Sequence, residues 1–215
     1  MSSVRKINRR EFLKRTGQAG GGLVFALTFG SACQPDSQAV GPAAKASASV
    51  APNVYVNIRN DSIVEIYCHR SEMGQGIRTS LPQVIADEME ADWDKIKVIQ
   101  AICHEKYGDQ NTDGSTSIRR HFDVLRNAGA TARDMMIAAA ASVWSVPVDE
   151  CAAREHAVHH EASGQSIGYG DLVETAADMP QPENAAFKAR EDYRYIGKSM
   201  DSIDGMAFTT GGGMY

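Results

Sequence analysis

Residues 72–76, which read Glu-Met-Gly-Gln-Gly, have the composition best suited to binding a ligand. Gly74 and Gly76 lack side chains, so a bulky ligand can approach the backbone closely at both positions. The planar amide of Gln75 can both donate and accept hydrogen bonds. Because a helical pattern follows, the segment also offers backbone N–H groups at a helix N-terminus. It is therefore a candidate binding loop for an anionic ligand.

A second polar segment, residues 107–117, also leads directly into a helical pattern. Hydroxyls and free backbone N–H groups at a helix N-terminus favour anionic oxygens such as those of phosphate. The candidate residues are Gly114, Ser115, Thr116 and Ser117. The alternative is simple capping of the helix by Thr116 or Ser117, which requires no ligand.

The first candidate loop joins a predicted strand, residues 62–69, to a predicted helix from Leu81 to Asp92. The strand is rich in β-branched and aromatic residues. Apolar residues recur every four positions along the helix, which places Glu90 on a polar, solvent-facing side. Thr79 or Ser80 can cap this helix, and Pro82 suits its first turn.

The remaining pattern predicts an α+β fold in which helices cover a small mixed sheet. The other predicted elements are strands 54–59, 95–103 and 151–161, turns at 60–61 and 162–166, and helices 117–143 and 167–179. Alanine and glycine are frequent in the helix 117–143, so neighbouring elements can pack closely against it.

The Glu-Met-Gly-Gln-Gly segment resembles the cofactor-binding loop of the molybdenum hydroxylases, the xanthine dehydrogenase and aldehyde oxidase family. Within that family the chain is most similar to the large subunits of isoquinoline 1-oxidoreductase and of periplasmic aldehyde dehydrogenases. Tyr-Gly-Asp-Leu at residues 169–172 adds to the resemblance, which covers nearly all of residues 1–215. It implies a molybdenum–pterin cofactor, in its plain or its cytosine dinucleotide form.

The resemblance also implies which residues contact that cofactor. The expected cofactor-binding residues are Gly74, Gln75, Gly76, Gly114, Ser115, Thr116 and Ser117. No catalytic residue and no metal ligand is assigned, because the general base and most of the cofactor shell belong to later domains of the family. Glu72 is expected to make local hydrogen bonds only.

The implied activity is the oxidation of aldehydes or the hydroxylation of N-heterocycles by a larger enzyme. A small partner subunit with iron–sulfur clusters carries the electrons away in such enzymes, and the remainder of the large subunit completes the site. We therefore expect the 215-residue chain to be inactive by itself. The alternative is an exported, non-catalytic remnant or lipoprotein domain that keeps the fold without the cofactor.

Residues 1–33 resemble a twin-arginine export signal, which predicts a periplasmic protein. Arg9 and Arg10 precede Phe-Leu-Lys, and the apolar stretch 20–29 is too short to span a membrane. Cys33 then resembles a lipoprotein junction, although Gly30 stands where leucine is usual. Lipid attachment at Cys33 and ordinary signal cleavage nearby are equal alternatives.

Three further segments follow from composition and from the resemblance. Residues 34–52 are a low-complexity linker, and residues 53–190 are the molybdopterin-binding segment. Residues 191–215 are expected to be a linker, without a helix, into a hammerhead-like α/β domain that is missing from this chain.

The charge distribution argues against nucleic acid as a partner. Residues 1–33 contain six of the 22 basic residues and one of the 27 acidic residues, so the remainder carries 16 against 26, or −10. An acidic domain is poorly suited to bind nucleic acid or an anionic membrane surface.

Several other polar residues are predicted to have structural roles only. Widely spaced cysteines favour burial as small hydrophobic residues, and the histidines lack a metal-binding pattern and are predicted at the surface. Charged residues at helical spacing in 117–143 predict a solvated face. These three sets are Cys68, Cys103 and Cys151; His156, His159 and His160; and Asp123, Arg126, Arg133 and Asp134.

Overall fold

Two small sheets and four α-helices form the part of the chain that the computed structural model describes, residues 48–182 and 185–213. The strands are β1 (Ser49–Asn53), β2 (Val56–Arg59), β3 (Val64–Cys68), β4 (Ile96–Gln100), β5 (Cys151–Arg154), β6 (Ala157–His160) and β7 (Gln165–Gly168). The helices are α1 (Ile77–Glu88), α2 (Thr116–Trp144), α3 (Tyr169–Ala177) and α4 (Gly205–Thr210).

The first sheet has the strand order β1-β2-β3-β4 and is mixed. Its first two pairs are antiparallel, whereas β3 and β4 run parallel with Val64 opposite Ile96. A parallel pair needs a crossover connection, which α1 supplies. The prediction of an α+β fold with a small mixed sheet is thereby confirmed. β1 includes residues 49–52, which the sequence had placed in the low-complexity linker.

The second sheet is an antiparallel meander of β5, β6 and β7. Its first turn consists of Glu155 and His156, both with positive φ, so the single strand predicted for 151–161 is in fact two strands. The turn predicted at 162–166 ends earlier, because β7 begins at Gln165.

α1 and α2 cross closely at Gly129. A Cβ atom added at Gly129 would lie 2.5 Å from the Ile85 carbonyl oxygen and 2.8 Å from the Cβ of Glu88. The prediction that small residues of α2 allow close helix packing is confirmed at this crossing. Met135 and Met136 of α2 are also buried and belong to the hydrophobic core.

α1 lies four residues earlier than the sequence indicated, at Ile77–Glu88 rather than 81–92. It ends early because Glu90 adopts a left-handed conformation with φ of 55°. Pro82 consequently lies inside the helix rather than in its first turn. The apolar spacing was interpreted correctly, but it does not specify where the helix begins.

Three acidic residues at and just after the end of α1 are not at the surface, because the segment 186–196 and helix α2 cover them. Asp87 and Glu88 are fully buried, and the Glu90 side chain is 14% exposed and pairs with Lys188 and Arg194. The prediction of Glu90 as a surface residue was wrong. The cause is tertiary, because a distant part of the same chain supplies the cations.

The solvated face predicted on α2 was also wrong at two of its four positions. Arg126 Nε lies 2.5 Å from Glu88 Oε1, and Arg133 Nη1 lies 3.5 Å from Glu88 Oε2. Both arginine side chains are largely buried, with exposures of 13% and 12%. They neutralise a carboxylate that has no contact with solvent.

The residues after 196 also pack against the domain. Arg78 Nε donates to Asp204 Oδ2 at 2.9 Å, and the N–H of Ile203 donates to Thr79 Oγ1 at 3.1 Å. The short helix α4 follows at Gly205–Thr210, where the sequence had indicated no helix.

Cysteines and histidines differ from their predictions in three places. Cys68 and Cys151 are buried, and burial raises the pKa of the Cys68 thiol to about 11, but Cys103 is exposed. His156 and His160 are buried rather than at the surface. Each has hydrogen-bond partners: the N–H of Asp92 and the Ser62 carbonyl for His156, and Glu150 and Ser163 for His160. No group of residues able to hold a metal ion occurs in the described part of the chain.

The export signal at 1–33, the Cys33 junction and linker residues 34–47 lie outside the described residues. Within the described residues, none of the helices combines the length and apolar character needed to cross a membrane.

Candidate functional site

The loop at residues 72–76 is organised around the carboxylate of Glu72. This carboxylate accepts hydrogen bonds from the backbone N–H groups of Gly74 at 2.8 Å, Gly76 at 2.9 Å and Arg78 at 3.0 Å. Gly76 is the N-cap residue of α1, with φ of 79°. The prediction that Glu72 makes local hydrogen bonds is confirmed.

Glu72 thereby occupies the N-terminus of α1. Burial raises the pKa of its carboxyl group, but the N–H donors of Arg78, Gly76, Gly74 and Met73 outweigh burial and hold the pKa below its usual value. The predicted caps do not act as caps: Ser80 Oγ donates to the Gly76 carbonyl, and Thr79 Oγ1 accepts from Ile203. The first of the two helix starts is therefore already occupied by a carboxylate of the chain itself.

The amide of Gln75 is also used inside the loop. Its Oε1 accepts from the N–H of Met73 at 2.6 Å, and its Nε2 donates to the Ser71 carbonyl at 2.9 Å. A primary amide has two donor hydrogens and two acceptor lone pairs, so further hydrogen-bonding capacity remains. Gln75 both shapes the loop and keeps the means to bind a ligand.

The start of α2 differs from the start of α1, because within the described residues no side chain accepts from its first backbone N–H groups, as Glu72 does at α1. Gly114 and Ser115 both have positive φ, and Ser115 is the N-cap residue. Thr116 donates through both its N–H and its hydroxyl to the Asp113 carbonyl, at 3.0 and 2.9 Å. Capping of the helix by Thr116 or Ser117 was therefore a wrong alternative. The N-terminus of this 29-residue helix is not occupied by any side-chain acceptor in the described chain.

The two loops meet at one cavity of about 420 Å³. The N–H of Ser71 donates to Thr112 Oγ1 at 3.0 Å. This hydrogen bond joins the two loops, although its two residues are 41 positions apart in the sequence. The lining comes from both loops and from the first turns of α1 and α2: Met73, Gln75, Ile77, Ser80, Thr112, Asp113, Gly114, Ser115, Ser117 and Ile118.

Four of the seven predicted residues line this cavity directly: Gln75, Gly114, Ser115 and Ser117. Gly74 and Gly76 lie in the loop beside it, and Thr116 is buried. Sequence reasoning missed the apolar members Met73, Ile77 and Ile118. Their only signal was adjacency to the two motifs, since an isolated apolar residue at a helix start is normally core.

The cavity has features that a flat, polar cofactor requires. Gly74 and Gly76 have φ of +96° and +79°, and a Cβ added at either would have no atom within 4 Å. Their backbone is open to close approach. Ligand cavities of about 300–1,000 Å³ are typical in size, and apolar walls with a few polar groups are typical in character. The residues therefore fit one side of a pterin cofactor site.

A larger cavity of about 830 Å³ lies elsewhere, between α2, β5 and the segment 188–194. Its buried charged groups are already paired, as in the contacts of Lys188 with Asp87 and of Arg133 with Glu88. None of the predicted cofactor-binding residues lines this larger cavity, so the smaller cavity between the two loops is the better candidate for the cofactor site.

Comparison with known proteins decides the family. Residues 4–212 match the family described as "Molybdopterin cofactor-binding domain". The chain belongs to this family. The match extends over both loops and α2, so the cavity at their junction is part of a molybdopterin-binding domain.

Three characterised relatives extend this result. The chain is 36% identical to the beta subunit of the isoquinoline 1-oxidoreductase of Brevundimonas diminuta, over 87% of this chain and 25% of that protein. It is 34% identical to the membrane-bound aldehyde dehydrogenase [pyrroloquinoline-quinone] of Gluconacetobacter polyoxogenes, over 76% and 22%. It is 27% identical to a nicotinate dehydrogenase subunit of Pseudomonas putida, over 76% and 14%.

The chain therefore spans a quarter or less of the length of these relatives. Among solved structures, quinoline 2-oxidoreductase from Pseudomonas putida 86 aligns with a TM-score of 0.43 and 15% identity, over 57% of this chain and 15% of that one. The resemblance to molybdenum hydroxylase large subunits is confirmed by the family match and by the sequence relatives.

Proposed function

We propose that this chain is the N-terminal cofactor-binding segment of an exported molybdenum hydroxylase large subunit. The observation that carries the proposal is the cavity at which the 72–76 loop and the start of α2 meet. The family match supports the cofactor class. The relatives named for isoquinoline, aldehyde and nicotinate support small aldehydes or N-heterocycles as the substrate class.

Within this cavity the two loops have different roles. The uncapped N-terminus of α2, with the hydroxyls of Ser115 and Ser117, would hold anionic oxygens. The loop of Gly74, Gln75 and Gly76 would approach a flat ring through its backbone and through the free capacity of the Gln75 amide. A molybdenum–pterin cofactor supplies the redox chemistry on the substrate carbon when it is bound. This chain supplies binding and orientation.

The catalytic general base and the remaining walls belong, in this proposal, to other parts of a larger enzyme. Two of the relatives are themselves named as subunits, which implies partner subunits. We propose a small iron–sulfur subunit as electron acceptor, and the remainder of the large subunit as the opposite wall. Both the cytosine dinucleotide form and the plain form of the cofactor carry anionic phosphate oxygens, which the partial positive charge at the α2 start would attract.

Export by the twin-arginine route is the proposed path to the periplasm, because it transports folded, cofactor-loaded proteins. Replacing Arg9 and Arg10 together by lysine is expected to retain the protein in the cytoplasm. Cell fractionation and immunoblotting measure this. Arg5→Lys, at a basic residue outside the twin-arginine pair, is the matched control for an arginine-to-lysine change. Normal periplasmic accumulation of the Arg9→Lys, Arg10→Lys variant would refute the route.

The cofactor proposal is tested by Gly76→Val, measured as molybdenum per folded protein in a complete enzyme. Valine adds a side chain to the backbone beside the cavity, so we expect molybdenum content to fall at least twofold. Gly164→Val is the matched control. Gly164 also has positive φ, +70°, and open space around its Cβ, but it lies in the turn between β6 and β7.

Because the backbone strain is similar in the two variants, a difference between them reports on the cavity. Such left-handed strain costs about 1–2 kcal/mol in each. Circular dichroism confirms folding, and the isolated 215-residue chain, expected to hold little molybdenum, gives the baseline. Equal and full molybdenum in both variants would favour the alternative, a domain that keeps the fold without the cofactor.

A further inference from the structure

A buried arginine behind the two loops lacks hydrogen-bond partners for most of its guanidinium group. Arg70 follows β3 and is 0% exposed. Within the described residues, its Nε and Nη1 atoms are buried and have no hydrogen-bond partner. A buried cation without full pairing is costly, and breaking a buried ion pair is strongly destabilising. A buried guanidinium group with two unpaired nitrogens therefore favours the binding of an anion.

The remaining nitrogen of Arg70 faces two groups from other elements. Nη2 lies 3.2 Å from the ring nitrogens of His121 on α2 and 3.4 Å from Asp109 Oδ2 on the second loop. Arg120 Nη1 lies 3.8 Å from the same carboxylate oxygen. Two guanidinium groups therefore share one oxygen of one carboxylate.

The local charge is positive. Burial, followed by the effects of His121 and Arg70, lowers the pKa of His69 to about 4, and burial followed by Arg70 lowers the pKa of His121. Both imidazoles are therefore neutral at pH 7. Both ring nitrogens of His69 also lack a hydrogen-bond partner in the described chain. Two cations face a single anion, so an ion with more oxygen atoms than Asp109 offers would be held more strongly.

The Asp109 carboxylate is held only weakly by the two arginines, although its Oδ1 accepts from the N–H of Asn111 in its own loop at 2.9 Å. Its side chain is 48% exposed, and its distances to Arg70 and Arg120 exceed the roughly 2.7–2.9 Å of strong charge-assisted hydrogen bonds. The loop around it contains Gly108 and Gly114, both with positive φ. None of Arg70, Asp109, Arg120 or His121 lines the cofactor cavity.

We propose that Arg70, Arg120 and His121 form a binding site for an oxyanion of the phosphate class, which the Asp109 carboxylate occupies when no such ion is bound. Arginine pairs well with such ions because its planar fork offers parallel N–H donors. The site is separate from the cofactor cavity and does not depend on molybdenum.

The test is isothermal titration calorimetry of the full chain with inorganic phosphate at low ionic strength and pH 7.5. Asp109→Asn is expected to bind phosphate at least tenfold more tightly than the wild-type chain, since the competing carboxylate is removed. Asp123→Asn is the matched control: it makes the same charge change at an exposed position of α2, and no ion pair of Asp123 is found in the described chain. It should bind phosphate as the wild-type chain does.

Two variants in the Asp109→Asn background assign the donors. Arg70→Met should abolish binding, and Arg120→Gln, at a side chain that is 62% exposed and so not needed for folding, should weaken it at least fivefold. Circular dichroism checks that each folds. Phenyl phosphate as a second titrant distinguishes a free ion from a phosphate group on a larger ligand. Equal phosphate affinity in Asp109→Asn and Asp123→Asn, or no binding by Asp109→Asn, overturns the proposal. Neither outcome bears on molybdenum.

Discussion

Replacing Asp87 by alanine is expected to lower the free energy of unfolding by about 3–5 kcal/mol, the usual cost of removing one partner of a buried ion pair. The carboxylate accepts from Lys188 Nζ at 2.9 Å. It also accepts three backbone N–H groups of the covering segment: Arg194 at 3.1 Å, Tyr195 at 2.9 Å and Ile196 at 2.7 Å. Alanine would leave three backbone N–H donors without this acceptor and would remove one of the two carboxylates that pair with the buried Lys188 ammonium, the other being Glu90.

Chemical denaturation followed by circular dichroism measures this loss. Asp178→Ala is the control, because Asp178 is exposed at the end of α3, and it should change stability by less than about 0.5 kcal/mol. Limited proteolysis adds a second readout, since Asp87→Ala should expose the segment 186–196 to cleavage before the rest of the chain. A loss below about 1 kcal/mol would show that this segment does not depend on Asp87.

The pH dependence of this contact follows from the direction of its pKa shift. Burial raises the pKa of Asp87. The N–H of Ile196, the Lys188 ammonium and the other backbone donors lower it by more than burial raises it, so the pKa lies below its usual value. A depressed pKa in the folded state adds stability above the unfolded-state pKa, which for aspartate is about 3.9, and that stability is lost as the pH falls through the folded-state value.

The sequence could not identify Asp87 and Glu88 as buried. Asp87 lies away from the Leu81 and Ile85 side of α1, whereas Glu88 lies on the same side as these residues and packs against Gly129 of α2. Helical spacing indicates which residues share a face, but not whether a distant segment of the chain covers that face. Here the segment that contains Lys188, 101 positions after Asp87, covers it. The same limit explains Arg126 and Arg133. Helical spacing alone favoured solvent, whereas the buried Glu88 carboxylate binds them.

The candidate site was easier to predict because its signals are local. Two glycines around Gln75 and a polar run before α2 both indicate ligand access at helix starts, and their cavity brings the two together. What the sequence could not show is that the two starts differ. Glu72 occupies the first from four residues away, while no side chain in the described part of the chain caps the second. Arg70 was missed altogether, since nothing in a single sequence marks an arginine as buried.

The Glu72 carboxylate is expected to stabilise both the loop and the cofactor site. Glu72→Ala removes the acceptor of three backbone N–H groups at a helix N-terminus, which typically costs about 1–2 kcal/mol. If this energy of about 1–2 kcal/mol is needed to order the loop when the cofactor binds, the affinity for the cofactor falls about tenfold. Denaturation of the chain and molybdenum content of a complete enzyme measure the two effects. Glu174→Ala, at an exposed position of α3, is the control for both.

Acid titration separates this role from a merely structural one. Because the pKa of folded Glu72 is lowered, its contribution is fully present above the unfolded-state pKa of about 4.3 and is lost as the pH falls through the folded-state value. The stability difference between wild type and Glu72→Ala should therefore be constant near neutral pH and shrink below about pH 4. A difference that does not change with pH would mean that the side chain acts through packing. The α1 start would then be open to an anion, and the distinction drawn between the two helix starts would be lost.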